Sequence, residues 1–163
     1  MSDAESYSLV EVEWNDARAI ALRDAMDAEI QPRYAGRATD PDATTRALAV
    51  DPADILLTVL AVGPDSRPVG HAALRQLESE LEVKRVVVLA EARGHGVARQ
   101  LMAYLEKFAT ATGTRRLILQ TGDRQPDAVT LYQSLGYRPI PIYQPYTDAI
   151  PFSQCFEKVL PKS

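Results

Sequence analysis

The residues with the clearest chemical use in this chain are two glycines. Arg93-Gly94-His95-Gly96-Val97-Ala98 sets residues without side chains between an apolar stretch and an amphipathic one. A backbone that bends sharply there brings several N–H groups to one point, and the start of a following helix adds partial positive charge. Such a turn grips an anionic phosphate. A P-loop would need Gly-Lys followed by Ser or Thr, which this stretch lacks. The dinucleotide fingerprint would need a third glycine where this chain has Arg99. What remains is Arg-x-x-Gly-x-Ala, in which Ala98 permits close approach almost as glycine would. An ordinary tight turn fits the same residues.

The elements that must hold this turn are written on either side of it. Leu81-Glu82-Val83-Lys84-Arg85-Val86-Val87-Val88-Leu89 alternates at first and then runs apolar, as a strand entering a covered core does. Beyond the turn, Val97, Leu101, Leu105 and Ala109, with Ala98, Met102 and Phe108, define one face of a helix that Gly113 closes. Arg115 to Gln120 reads as the next strand, and this succession predicts a parallel pair with a right-handed crossover.

Upstream, Tyr7 to Trp14 reads as a first strand. A helix capped by Asn15 or Asp16 carries Ile20, Leu22, Met26 and Ile30 and is expected to stop near Gln31, because Pro32 disfavours helical geometry before it. Tyr34 to Asp54 is loop-like, with a short helix possible over Ala43 to Val50. Ile55 to Val62 and Val69 to Leu77 form an antiparallel meander with the central strand. Downstream, Pro126 opens a short helix with Ala128, Leu131, Tyr132 and Leu135 on its apolar face, and Gly136 ends it. Tyr137 to Ile140 and Gln154 to Leu160 are the last strands, separated by a turn-rich loop from Tyr143 to Pro151.

At 163 residues with 46% hydrophobic content, the chain suits one domain over 1–163 with a sizeable core. A net charge of -4 and a pI near 5.2 leave no electrostatic footprint for nucleic acid. Met1-Ser2-Asp3-Ala4-Glu5 lacks the apolar core of a signal peptide, and no apolar run reaches spanning length, so a cytoplasmic protein without a membrane partner is expected. Cys155, the single cysteine, has Phe152 and Phe156 nearby and reads as a buried thiol. With only His71 and His95, on different elements, no metal is expected, and His71 reads as a packed strand residue.

Ala128-Val129-Thr130-Leu131-Tyr132-Gln133-Ser134-Leu135-Gly136-Tyr137 is a second motif, placed just after the fifth strand. With Arg93 to Ala98 it resembles the GNAT N-acetyltransferase family, whose coenzyme A pyrophosphate loop and Leu-Tyr helix stand in this order. Gln125, where the family often has asparagine, and Ala90, where many members have proline, depart from the pattern. The resemblance implies an α/β (α+β) fold: a mixed central sheet of about six to seven strands, an antiparallel N-terminal meander, parallel strands four and five, and about four helices.

It also implies an acyl-CoA-dependent N-acyltransferase that moves an acetyl group from acetyl-CoA to a primary amine by direct attack. The pyrophosphate would rest on the backbone of Gly94, His95, Gly96, Val97, Ala98 and Arg99, with Arg93 shaping the loop or facing phosphate. The pantetheine arm would follow Val86, Val87 and Val88 where the two strands splay, with the Val88 amide at the thioester carbonyl and Gln125 bonded to the coenzyme. Tyr132 matches the tyrosine that protonates the departing sulfur. Glu82 matches the base that takes the amine's proton, with Glu78 or Glu80 as substitutes, and pairing with Arg75 as the purely structural role. The expected acceptor is a small-molecule amine, such as an amino acid or its analogue, near Tyr34, Tyr143, Tyr146, Asp27 and Glu29. A protein N-terminus or lysine comes second. The alternative is a non-catalytic acyl-CoA-binding module of the same fold, and a homodimer is compatible with either.

Overall fold

A computed structural model describes residues 6–37 and 40–162. Residues 1–5, on which the signal-peptide expectation rests, lie outside them. In chain order the elements are β1 (Ser8–Glu11), α1 (Ala17–Tyr34), α2 (Pro41–Leu48), β2 (Ile55–Val62), β3 (Pro68–Leu77), β4 (Glu80–Val88), α3 (Val97–Ala111), β5 (Arg116–Gly122), α4 (Pro126–Ser134), β6 (Arg138–Ile140), α5 (Tyr146–Ala149) and β7 (Ser153–Val159). The strands form one open sheet in the order β1-β2-β3-β4-β5-β7-β6. Only β4 and β5 run parallel; every other neighbouring pair is antiparallel.

The two faces of the sheet do different work. On one, Val97, Leu101, Met102 and Leu105 of α3 pack with Leu81 and Val83 of β4 and Leu117 and Leu119 of β5 in the main core. On the other, Ala19 and Leu22 of α1 close over Leu60 and Val87, and Ala47, Tyr146 and Ile150 form a separate cluster under α2 and α5. The alternation of a strand therefore sends Glu82 and Lys84 to the face opposite α3.

Two local expectations need correction. Helix α1 continues through Pro32 to Tyr34. A proline in the last turn forfeits one hydrogen bond near the end of the ladder, and Tyr34 is held from outside, its Oη accepting from the Arg124 amide at 3.0 Å and its ring stacked on Phe152. The short helix allowed over Ala43 to Val50 is present as α2, started by Asp40, whose carboxylate accepts from the amides of Asp42 and Ala43, with Pro41 at the first position. The turn-rich stretch before the last strand contains the short helix α5, which brings the α-helices among the described residues to five, in keeping with the expected count of about four.

One irregularity sets up everything at the middle of the sheet. Along β3 and β4 the partners run Gly70 with Val88 and His71 with Val87, then Ala73 with Lys84 and Leu74 with Val83. Two residues of β4, Arg85 and Val86, therefore stand against Ala72 alone, a β-bulge with Arg85 at φ 56°. The parallel pairing of β4 with β5 covers only Leu81 to Val83 against Leu117 to Leu119. At the bulge the two strands part.

His71 braces that bulge from β3. Its Nδ1 lies 2.7 Å from the Arg85 carbonyl and its Nε2 3.0 Å from Arg23 Nη1. A carbonyl only accepts and a guanidinium only donates, so the ring is the neutral tautomer with its proton on Nδ1. Burial, reinforced by the charges of Arg23 and Arg85, pushes its pKa down from 6.5 to about 4. A depressed histidine pKa means the unfolded chain binds the extra proton first, so stability is complete above pH 6.5 and falls as pH drops toward 4. Urea melts should therefore lose about 1 to 2 kcal/mol between pH 6.5 and 5. His71→Gln should lose measurably less over the same window; equal slopes for the two proteins would contradict the assignment.

Candidate active site

Where β4 and β5 diverge, a cavity of about 670 Å³ opens between α1, α2 and α4. Val86, Gln125, Ala128 and Tyr132 line one side of it, and Met26, Ile30, Tyr34, Leu48 and Phe152 the other. Backbone polarity inside the gap follows from register. The Leu89 amide donates to the Val69 carbonyl at 2.8 Å, so Val69 with Leu89 is a hydrogen-bonded pair and Gly70 with Val88, one step along, is not. The Val88 N–H and C=O thus point away from β3 toward the space β5 has left. The carbonyl is taken by Arg93 Nε at 2.9 Å.

The glycine turn lies at the far end of the same strand. Gly94 and Gly96 have φ of 82° and 80°, which a side chain would strain. Gly96 caps α3 without any side-chain acceptor. The amides of Val97, Ala98 and Arg99 belong to the first turn, which has no intrahelical partner for them. Arg93 ties the turn to the strand through Val88 and to α1 through an ion pair with Glu29, the contacts of a loop-shaping residue. Arg99 reaches across to α4, its Nη2 donating to Ser134 Oγ at 2.9 Å. His95 is half-buried with its ring 6.4 Å from that of Tyr7.

Tyr132 is buried to 7% exposure, edge-on to Tyr137 at 5.9 Å, and lines the cavity. Its hydroxyl has no hydrogen-bond partner among the described residues. Burial holds its pKa well above the usual phenol value, so it stands protonated with its proton uncommitted. Tyr34 closes the opposite wall so tightly that a Cβ on Gly122 would sit 2.0 Å from its Oη. A side chain there would have to push the Tyr34 ring aside.

Glu82 lies beneath this cavity rather than in it. Fully buried, its carboxylate accepts from Arg75 Nε at 2.9 Å, Tyr146 Oη at 2.9 Å and Tyr143 Oη at 2.5 Å. Burial, then the Glu82 charge, pushes both tyrosine pKa values up. The expected acceptor residues therefore separate: Tyr34 lines the cavity, while Tyr143 and Tyr146 hold Glu82 under it. Glu80 is engaged by Arg116 at the start of β4, and Glu78 sits in the β3–β4 turn, both at the other end of the strand. Val87 turns its side chain to the α1 core, leaving only its backbone near the gap.

Sequence reasoning passed over Lys84, Arg85, Arg37 and Phe152, all of which line the cavity. Lys84 is 7% exposed, its Nζ 2.8 Å from Tyr146 Oη, and burial, partly countered by Glu82, brings its pKa down to about 8. The signal for it was two adjacent cations interrupting an otherwise apolar strand.

Comparison with known proteins agrees with this geometry. The family model for the acetyltransferase (GNAT) family matches residues 13–137. A mouse protein, N-alpha-acetyltransferase 80, is 38% identical over 91 residues, which is 50% of this chain but 28% of that protein's length. A Klebsiella pneumoniae structure assigned as an acyl-CoA N-acyltransferase superposes with a TM-score of 0.76 at 28% identity, covering 94% of this chain and 97% of that one. A GNAT family acetyltransferase from Elizabethkingia anophelis, solved with acetyl-CoA bound, shares the fold at a TM-score of 0.69 and 15% identity over 96% of this chain and 99% of its own. With the splayed parallel pair, the glycine turn before α3 and the family match over most of its length, this chain belongs to the acetyltransferase (GNAT) family.

Proposed function

We propose that this protein transfers the acetyl group of acetyl-CoA to the primary amine of a small molecule, such as an amino acid or its analogue, in the gap between β4 and β5. The observation that carries this reading is the phenol of Tyr132, protonated, without a hydrogen-bond partner among the described residues, and lining the cavity beside the parted strands. The coenzyme's pyrophosphate would rest on the amides of the turn from Gly94 to Arg99, with its pantetheine arm along the backbone of Val86, Val87 and Val88 and the Gln125 amide beside it. The Val88 N–H, directed into the gap, would donate to the thioester carbonyl as it becomes anionic.

The acceptor nitrogen attacks the carbonyl carbon, the C–S bond breaks, and Tyr132 gives the departing sulfur a hydrogen bond and its proton. The proton lost by nitrogen goes to Glu82 by way of water and then Tyr143, whose Oη takes it up while passing its own to the carboxylate, because neither residue lines the cavity itself. Tyr143 is half-buried and already donates to Glu82. A second reading, an acyl-CoA-binding module without turnover, draws on the separation of Glu82 from the cavity. Coenzyme binding with no thiol release on any amine would establish it.

Tyr132→Phe should lower kcat by roughly 100-fold while coenzyme affinity by calorimetry stays within about twofold; unchanged kcat would remove the phenol from the reaction. Tyr143→Phe leaves the Arg75–Glu82 pair in place and should lower kcat with little change in the KM for acetyl-CoA, a result that an unaltered kcat would refute. Gly96→Glu puts a side chain at positive φ and a negative charge beside the diphosphate, so titration with coenzyme A should show no binding. Retained affinity would mean the pyrophosphate lies elsewhere.

A further inference from the structure

The floor of the cavity carries a charge that its own neighbours do not balance. Arg75, Glu82 and Lys84 are buried together, with side-chain exposures of 6%, 0% and 7%. Arg75 meets the Glu82 carboxylate with Nε at 2.9 Å and Nη2 at 2.7 Å, which matches that negative charge. Lys84 Nζ stands 3.8 Å from Glu82, and its short contact is to the neutral hydroxyl of Tyr146 at 2.8 Å. Among the charges acting on it, Glu82 is opposed by Arg75 and Arg85.

The other cations of the cavity are matched. Arg85 pairs with Asp27 at 3.2 Å and Arg37 with Asp123 at 3.2 Å. Two buried cations against one carboxylate leave a net positive charge, and a buried charge without a counter-ion is costly. Of the three residues in the cluster, Lys84 is the one that lines the cavity. Thr44 Oγ1, on another residue lining the cavity, is buried with no hydrogen-bond partner among the described residues. Asp27, Gln31, Gln120 and Gln125 make part of the lining polar, while Met26, Ile30, Leu48, Ile150 and the stacked pair Tyr34–Phe152 give it an apolar and aromatic wall.

We infer that Lys84 receives a carboxylate of the acceptor, and that the substrates are α-amino acids with apolar or aromatic side chains rather than simple alkylamines. The inference rests on the reading of this cavity as the acceptor site. A carboxylate at Lys84 supplies the missing negative charge, leaves the amine a few bonds away near the parted strands, and lets the side chain lie against the apolar wall.

The test is thiol release from acetyl-CoA with phenylalanine, leucine and methionine, each supplied as the free acid, the amide and the decarboxylated amine. The free acid of at least one should exceed its amide in kcat/KM by about tenfold or more. Lys84→Met should bring that ratio close to unity with the KM for acetyl-CoA unchanged, and Lys84→Arg should preserve part of it. Equal rates for acid and amide in the unaltered protein would overturn the inference, as would a ratio that persists in Lys84→Met. Should no acceptor release thiol, calorimetry of the N-acetylated acids and their amides on the coenzyme A-loaded protein still decides. Tighter binding of the acid, lost in Lys84→Met, would uphold the carboxylate site while refuting acetyl transfer; equal binding would overturn the site itself.

Discussion

The hydrogen bond from His71 Nδ1 to the Arg85 carbonyl holds one extra residue in β4, and the opening between the two parallel strands begins at that residue. A bulge in an edge strand would cost little and change little. Here it sits in the fourth of seven strands, where a continuous ladder would have buried every backbone group between β4 and β5. Because the ladder stops after Val83, the polar groups of Val88 face open space. Arg93 then uses one of them to anchor the glycine turn. Bulge, gap and turn are consecutive consequences of one register shift along nine residues of strand.

The two faces of the sheet divide the chemistry between them. The α3 and α4 side offers first-turn amides without intrahelical partners and a protonated phenol, groups suited to an anionic, sulfur-ended cosubstrate. The α1, α2 and α5 side offers a buried network of Glu82, Arg75, Lys84, Tyr143 and Tyr146, with charges at fixed positions. The gap is the place where the two sides meet. A small acceptor could approach from one face and a thioester from the other, and neither would cross the main core.

Much of this was readable in the chain before any coordinates. Two glycines followed by an alanine between strand and helix carry their geometry in their composition, and the apolar spacing of α3 and α4 fixed which faces would be covered. The place of the bulge was not readable: Lys84-Arg85 interrupts an apolar strand, but two adjacent cations do not say that an extra residue is held there or which strand opposite gives way. What could not be read is the network around Glu82. It joins residues 61 and 64 positions apart, through a short helix, α5, whose sequence from Tyr143 to Pro151 looks like turn. Likewise, α1 outlasts Pro32 because Tyr34 is secured by the Arg124 amide, some ninety residues along, and local preference has no knowledge of that contact.

The central claim is that the acyl thioester lies in the gap opened at Arg85, with its sulfur beside Tyr132. A crystal structure with coenzyme A bound tests it most directly. The pantetheine should run along Val86 to Val88 and end with its sulfur within hydrogen-bond reach, about 3.5 Å, of the Tyr132 hydroxyl. Coenzyme seated on another face, or a Tyr132 hydroxyl turned into the main core away from the sulfur, would contradict the account.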